Sequence, residues 1–186
     1  MKRCEWSEVS GQDIYLDYHD NEWSVPSRDD RYLFEMFVLE SFHCGLSWLI
    51  VLKKRKSFIE SFDNFDIEKV ANYGEQKISE LLANKDIIRH KGKILAAINN
   101  ANRFKEVQEE FGSFSDYIWS FTDNKVIYKS NDDKITKNTL SDEVSKDLKK
   151  RGFKFMGSVT TYSYLEAIGV MNNHNTYCYK YEGDKC

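Results

Sequence analysis

The sequence predicts an all-α protein, on three observations. A single proline, Pro26, and nine glycines across 186 residues supply too little turn punctuation for the many short loops of a β-sandwich or barrel. Apolar residues recur at helical spacing through most of the chain. Apolar residues make up 41% and charged residues 31% of the total, proportions that support one packed core and lie well away from those of disordered chains. Aromatic residues are in surplus, with 12 Phe, 11 Tyr and 4 Trp, so they must fill the core or line a site.

Taken in order, the periodicity predicts helices over 29–44, 46–62, 66–72, 75–84, 90–110, 114–121, 141–151 and 158–170. On the first, at roughly 100° per residue, Arg28, Arg31 and Glu35 form a polar stripe, while Leu33, Met36, Phe37 and Cys44 lie opposite. Glu40 projects among the apolar group. A carboxylate there is expensive to desolvate, so it is either a buried acid satisfied by Arg or backbone N–H groups, or a functional acid in a pocket. Gly45-Leu46-Ser47-Trp48 follows as a helix–helix corner, with Gly45 allowing a tight backbone and Ser47 able to cap the next helix.

The helix over 141–151 has Ser141 as its cap, Asp142 and Glu143 at the positive end, Lys149, Lys150 and Arg151 at the negative end, and Gly152 as its stop. Residues 122–140 read as an exposed connection with a short hairpin around Lys125 to Tyr128, and no chemistry is expected from them. Near the N-terminus, Trp6, Tyr15, Tyr18, His19 and Trp23 are closely spaced; such aromatics are more often core than ligand box.

No apolar run approaches the roughly 18 residues of a membrane span, and the charged start leads into no hydrophobic signal segment. A cytoplasmic protein is expected. In that compartment Cys4, Cys44, Cys178 and Cys186 favour reduced thiols or a metal over disulfides. His174 and Cys178 form an H-x3-C pair; with Cys4 and His19 they would complete the closed two-Cys, two-His set of a structural zinc, although on spacing alone the signal is weak, and surface histidines with reduced thiols are the commoner meaning of such a pair. The net charge of −3 excludes a bulk polycation, so nucleic-acid contact would need local patches. Three exist: Lys53 to Lys56, Arg89 to Lys93, and Lys146 to Lys154. Each is either a solvated helix face or part of one phosphate-tracking surface.

Together these segments resemble the DNA-3-methyladenine glycosylase I family. The resemblance is carried by Arg3 to Trp6, by Tyr15 through Trp23, by Leu33 to Met36 with Leu39-Glu40, and by Gly45 to Trp48 with Val51 to Arg55. Ile87 to His90, Lys149 to Phe155, and His174 with Cys178 complete it. It implies an all-α helix-hairpin-helix DNA glycosylase fold with one structural zinc on Cys4, His19, His174 and Cys178. The implied organisation is a single unit over 1–186, with a zinc-binding terminal part (1–28 plus 141–186), a helical part (29–121) and the connection 122–140. Glu40 is the implied catalytic and base-recognising acid, in a pocket lined by Trp6, Tyr15, Tyr18 and Trp48. Gly45 and Leu46 match the loop that wedges into the duplex. Arg89, Lys91 and Lys93 match the DNA-backbone hairpin. The implied partner is alkylated double-stranded DNA, acted on by a monomer with no membrane or protein partner.

Those residue types suit the chemistry. A base inside the stack must be flipped before it can be cleaved. N3-methylation makes adenine cationic, so electron-rich ring faces and a carboxylate attract it over the ordinary base. The same charge makes it a good leaving group, and the stretch after Lys93 carries no Asp of the kind other superfamily members use as catalytic carboxylate. Phe42, His43 and Cys44 depart from the family's usual Gln and Ala, Ser24 replaces a usual Gly, and Asp86 stands where a hairpin Gly is common. These departures leave two competing readings: a zinc-stabilised module that binds damage with reduced or no turnover, and a glycosylase of broader alkylbase range.

Overall fold

The helix Asp30–His43 (α3) is apolar almost all round: Leu33, Phe34, Met36, Phe37, Val38, Leu39 and Phe42 are fully buried. A helix buried on nearly every side belongs at the centre of a fold rather than on its rim. In the computed structural model, which describes residues 1–8 and 11–183, the other helices surround it. They are α1 (Glu5–Glu8), α2 (Asp13–Asn21), α4 (Trp48–Ser61), α5 (Ile67–Ala71), α6 (Glu75–Ala83), α7 (Lys91–Phe111), α8 (Phe114–Ser120), α9 (Thr139–Lys150) and α10 (Ser158–Ala167), with a 3-10 turn at Asp63–Phe65. α4, α7, α8 and α10 all pack on α3. Edge-to-face ring pairs join Phe37 of α3 to Phe104 of α7, Phe114 of α8 and Tyr164 of α10. Part of the aromatic surplus is therefore core.

All eight expected helices are present, within a few residues. The last ends at Ala167 rather than near 170, because Gly169 turns left-handed (φ +75°), and a Cβ there would collide with the backbone of Val25 and Pro26. That close approach lets Ser24 N–H and Ser27 N–H donate to the carbonyls of Glu166 and Ile168, pinning the N-terminal segment to the end of α10. Ser24 itself has φ +63°, a region in which glycine is unstrained.

Two local expectations are corrected. Asn138, not Ser141, caps α9: its side chain accepts from Ser141 N–H, and the Ser141 hydroxyl accepts from Asn138 N–H. Ser141 thus occupies the third position of a reciprocal capping box. The hairpin expected around Lys125 to Tyr128 does not form. Ile127–Tyr128 (β1) instead pairs in parallel with Met171–Asn172 (β2), which brings the 122–140 connection against the C-terminal segment. Among the described residues no helix is long and apolar enough to cross a membrane. Cys186 lies outside the described residues.

Candidate base pocket, metal centre and nucleic-acid interface

Five helices border a cavity of about 630 Å³, within the range of small-molecule sites. α2 places Tyr15 and Tyr18 three residues apart and hence on one helical face. Glu40 comes from the last turn of α3 and Trp48 from the first turn of α4, on either side of the Gly45 corner. α10 contributes Tyr162 and Glu166, and Trp6 closes the wall. Ring contacts weld the walls together: Trp6 to Tyr15 at 5.5 Å, Tyr18 to Trp48 at 5.5 Å, and Trp6 to Trp23 at 4.9 Å. All five residues expected around a bound base, Trp6, Tyr15, Tyr18, Glu40 and Trp48, border this one space.

Glu40 is 4% exposed, and its partner is His43 of the same helix, with Nδ1 3.0 Å from Oε2. Arg55 and Arg31 are spent elsewhere: Arg55 bridges Glu22 and the buried Glu35, which also accepts from Arg31. The polar stripe of Arg31 and Glu35 is therefore partly an internal ion network. Burial raises the Glu40 carboxyl above its ordinary range, and His43 opposes the shift. The packing alternative, an acid neutralised by Arg, is not what the structure contains.

Several lining residues had no place in the sequence reading. Glu166, whose side chain accepts from Asn173 Nδ2 at 2.7 Å, is pushed up to about 8 by burial, and unlike Glu40 it has no histidine opposing that shift. Like Glu40, it stands among buried neighbours, here Tyr162, Tyr164 and Leu165, and that signal could have found it. Lys129, Asp133, Lys134 and Ile135 also line the cavity, contrary to the expectation that 122–140 carries no chemistry. Asp132 and Lys129 hold the segment there through Thr176 and Asn175.

Beside the cavity, Cys4, His19, His174 and Cys178 are all buried, with ligand atoms within 4.8 Å of one another. Cys178 Sγ is 3.5 Å from His19 Nε2, and both thiol sulfurs are 3.6 Å from His174 Nδ1. A tetrahedral ion with metal–sulfur and metal–nitrogen bonds of roughly 2.3 and 2.0–2.1 Å gives sulfur–nitrogen edges of about 3.5 Å. The set fits a metal. Each remaining imidazole nitrogen has its own partner, Asp20 Oδ1 for His19 and the Trp23 carbonyl for His174, which fixes the ring orientations. Burial lowers both histidines, His174 to about 4, and raises the Cys4 thiol to about 12. The imidazoles are thus neutral donors, and a cation would supply what ionises the thiols.

On the outer face, Gly45 takes φ +80° and Leu46 is 38% exposed at the corner tip. Arg89 and Lys91 are exposed on the α6–α7 connection and the start of α7. Lys93 is not available to a phosphate: it is 6% exposed, and its Nζ donates to the carbonyls of Phe42 and Cys44 at 2.9 and 2.7 Å. It ties the start of α7 to the α3–α4 corner. In the other two basic clusters, Arg55 and Arg151 are likewise held in ion pairs with acids of the fold.

Residues 6–181 match the methyladenine glycosylase family. The chain is 43% identical to DNA-3-methyladenine glycosylase 1 of Escherichia coli strain K12 over the whole of both chains. It is 41% identical to a DNA-3-methyladenine glycosylase of Haemophilus influenzae, over 95% of this chain and 96% of that one. A solved 3-methyladenine DNA glycosylase I variant in complex with 3-methyladenine superposes with a TM-score of 0.90 at 38% identity, covering 96% of each chain. With the fold, the pocket and a full-length match in agreement, the chain belongs to the methyladenine glycosylase family.

Proposed function

We propose that this protein is a monofunctional DNA repair glycosylase that extrudes 3-methyladenine from alkylated duplex DNA and hydrolyses its N-glycosidic bond, leaving an abasic site. The observation that carries this reading is Glu40, a buried carboxylate bordered by Tyr18 and Trp48 in a cavity large enough for a purine. Ring faces and a carboxylate both favour a cation over a neutral base, and Glu40 can accept from the exocyclic edge of the ring.

Cleavage of the glycosidic bond returns its electron pair to the base and cancels the base's positive charge. The leaving group therefore needs no strong acid, and water adds to the sugar as it gains oxocarbenium character. Glu40 acts mainly in recognition and assists the transition state through its charge. Asn100, in the stretch where an Asp would stand in other helix-hairpin-helix glycosylases, is fully buried and bonded to Lys154 N–H and C=O, so its role is structural.

Gly45 and Leu46 form the wedge that fills the gap left by the flipped base, with Arg89 and Lys91 on the phosphates through the α6–α7 hairpin. The ion held by Cys4, His19, His174 and Cys178 is one structural zinc: the ligand set is closed, with no place for a catalytic water. The enzyme works as a monomer in the cytoplasm. The test is single-turnover incubation with N3-methylated duplex DNA and identification of the product. Release of free 3-methyladenine supports the reading. Retention of DNA without release identifies a damage-binding module, and comparable release of 7-methylguanine identifies a broad-range enzyme.

A further inference from the structure

Phe155, in the loop between α9 and α10, is 41% exposed and has φ +59°, a left-handed backbone that a bulky aromatic residue rarely adopts. Such strain persists only where the surroundings enforce it, and here they do. The fully buried Asn100 of α7 grips Lys154 at both N–H and C=O, at 2.8 and 3.1 Å. On the other side of Phe155, the Met156 carbonyl accepts from the buried Ser145 hydroxyl at 2.8 Å. The Phe155 carbonyl itself faces Cys44 Sγ at 3.9 Å, beside the Gly45 corner. The ring stands over the start of α7, edge-on to His90 and in reach of Gly92. Exposed Lys154 precedes it in the chain, exposed Arg89 and Lys91 stand on either side of the His90 it meets, and exposed Leu46 lies two residues beyond the Cys44 its carbonyl faces.

We propose that Phe155 is a second DNA-inserting side chain, which enters the minor groove on the hairpin side of Leu46 and partly unstacks the base step next to the lesion. The inference rests on the glycosylase reading above. An apolar wedge framed by cations fits a duplex: the cations hold the phosphates while the ring trades exposure to water for stacking on bases. Two wedges on either side of the hairpin–corner junction bend the duplex about the flipped nucleotide more sharply than Leu46 could alone. A packing role does not explain the exposure, since a core aromatic would be buried.

The experiment compares Phe155→Ala, Phe155→Leu, Phe155→Gly and Leu46→Ala on duplexes carrying 2-aminopurine beside a stable abasic analogue, with single-turnover base release and free 3-methyladenine binding measured in parallel. Phe155→Ala is expected to weaken duplex binding by about ten- to a hundredfold, as loss of a stacked aromatic does. It should also abolish part of the 2-aminopurine brightening, with free-base binding unchanged, and Phe155→Leu should restore much of the loss. Phe155→Gly relieves the left-handed strain and should hold or raise the melting temperature while losing duplex affinity. Wild-type duplex binding and fluorescence in Phe155→Ala, with Leu46→Ala impaired, overturns the proposal and leaves the glycosylase reading intact. Wild-type behaviour in both overturns the DNA face as a whole. A fall in melting temperature in Phe155→Gly with an equal loss of free-base binding assigns the residue to packing and also overturns it.

Discussion

His43 Nδ1 lies 3.0 Å from Glu40 Oε2, three residues on along the same helix, and its ring also meets Trp48 at 5.3 Å between centroids. A donor in that position favours the ionised carboxylate that burial disfavours, and it fixes which oxygen faces the cavity. His43 is thus a positioning residue for the acid that the pocket depends on.

Replacing His43 with Ala removes that opposing influence, so the Glu40 carboxyl should move further above its ordinary range. Base release that needs the carboxylate is lost as pH falls through this value. The acid limb of the release profile should therefore shift to higher pH in His43→Ala. A charge-assisted hydrogen bond contributes about 1.5–3 kcal/mol, so release on that limb should fall by roughly ten- to a hundredfold. His43→Gln, which keeps a donor, should recover most of it. A profile displaced as a whole in rate but fixed in pH would remove His43 from this role.

The raised carboxyl also makes a statement about stability. Glu40 binds its proton more tightly in the fold than in the unfolded chain, so its ionisation destabilises the fold. The penalty is absent below the ordinary carboxylate range and is fully present once pH exceeds the folded value. Glu40→Gln should accordingly lose base release by about a hundredfold or more and yet melt a few degrees higher at neutral pH. Calorimetry at acid pH should show the difference vanish. Melting temperatures that fall in Glu40→Gln at every pH would mean that the side chain is a structural element.

The metal set offers a measurement independent of DNA. Ion binding to a buried two-Cys, two-His site is folding free energy, so a strong chelator should lower the melting temperature by roughly 10 °C. Metal analysis should give about one zinc per chain. Cobalt exchanged into the site should show the d–d bands of tetrahedral coordination. Cys178→Ala combined with His174→Ala should purify without metal, and retention of the ion in that variant would contradict the assignment.

Glu40 was legible because an acid on an otherwise apolar helix face has few fates. Glu166 stands on α10 in the same situation and could have been read the same way. The helix α2 was not legible: Asp13, Asp17 and Asp20 interrupt any apolar stripe, and it is held by Trp6, Trp48 and the metal ligands rather than by its own periodicity. The cavity-lining stretch Lys129 to Ile135 looks like solvated connection because its place is set by partners more than 40 residues away, Thr176 and Asn175. Lys93 misled for a related reason. A lysine among Arg89, His90 and Lys91 reads as one more phosphate contact, and only the fold reveals carbonyls from positions 49 and 51 residues earlier around its Nζ.

That distinction between lysines can be measured. Lys91 is exposed, and if it neutralises a phosphate, Lys91→Ala should reduce the slope of log affinity against log salt by about 0.9. It should leave the melting temperature unchanged. Lys93 makes its bonds inside the protein, and burial lowers its ammonium from the ordinary lysine value. Lys93→Met leaves two carbonyls of the α3–α4 corner without their donor, at about 1–3 kcal/mol of unsatisfied polar burial. It should lower the melting temperature and blur the Gly45-Leu46 wedge, weakening duplex binding with little change in the salt slope. An equal loss of slope in both variants would place Lys93 on the phosphates after all.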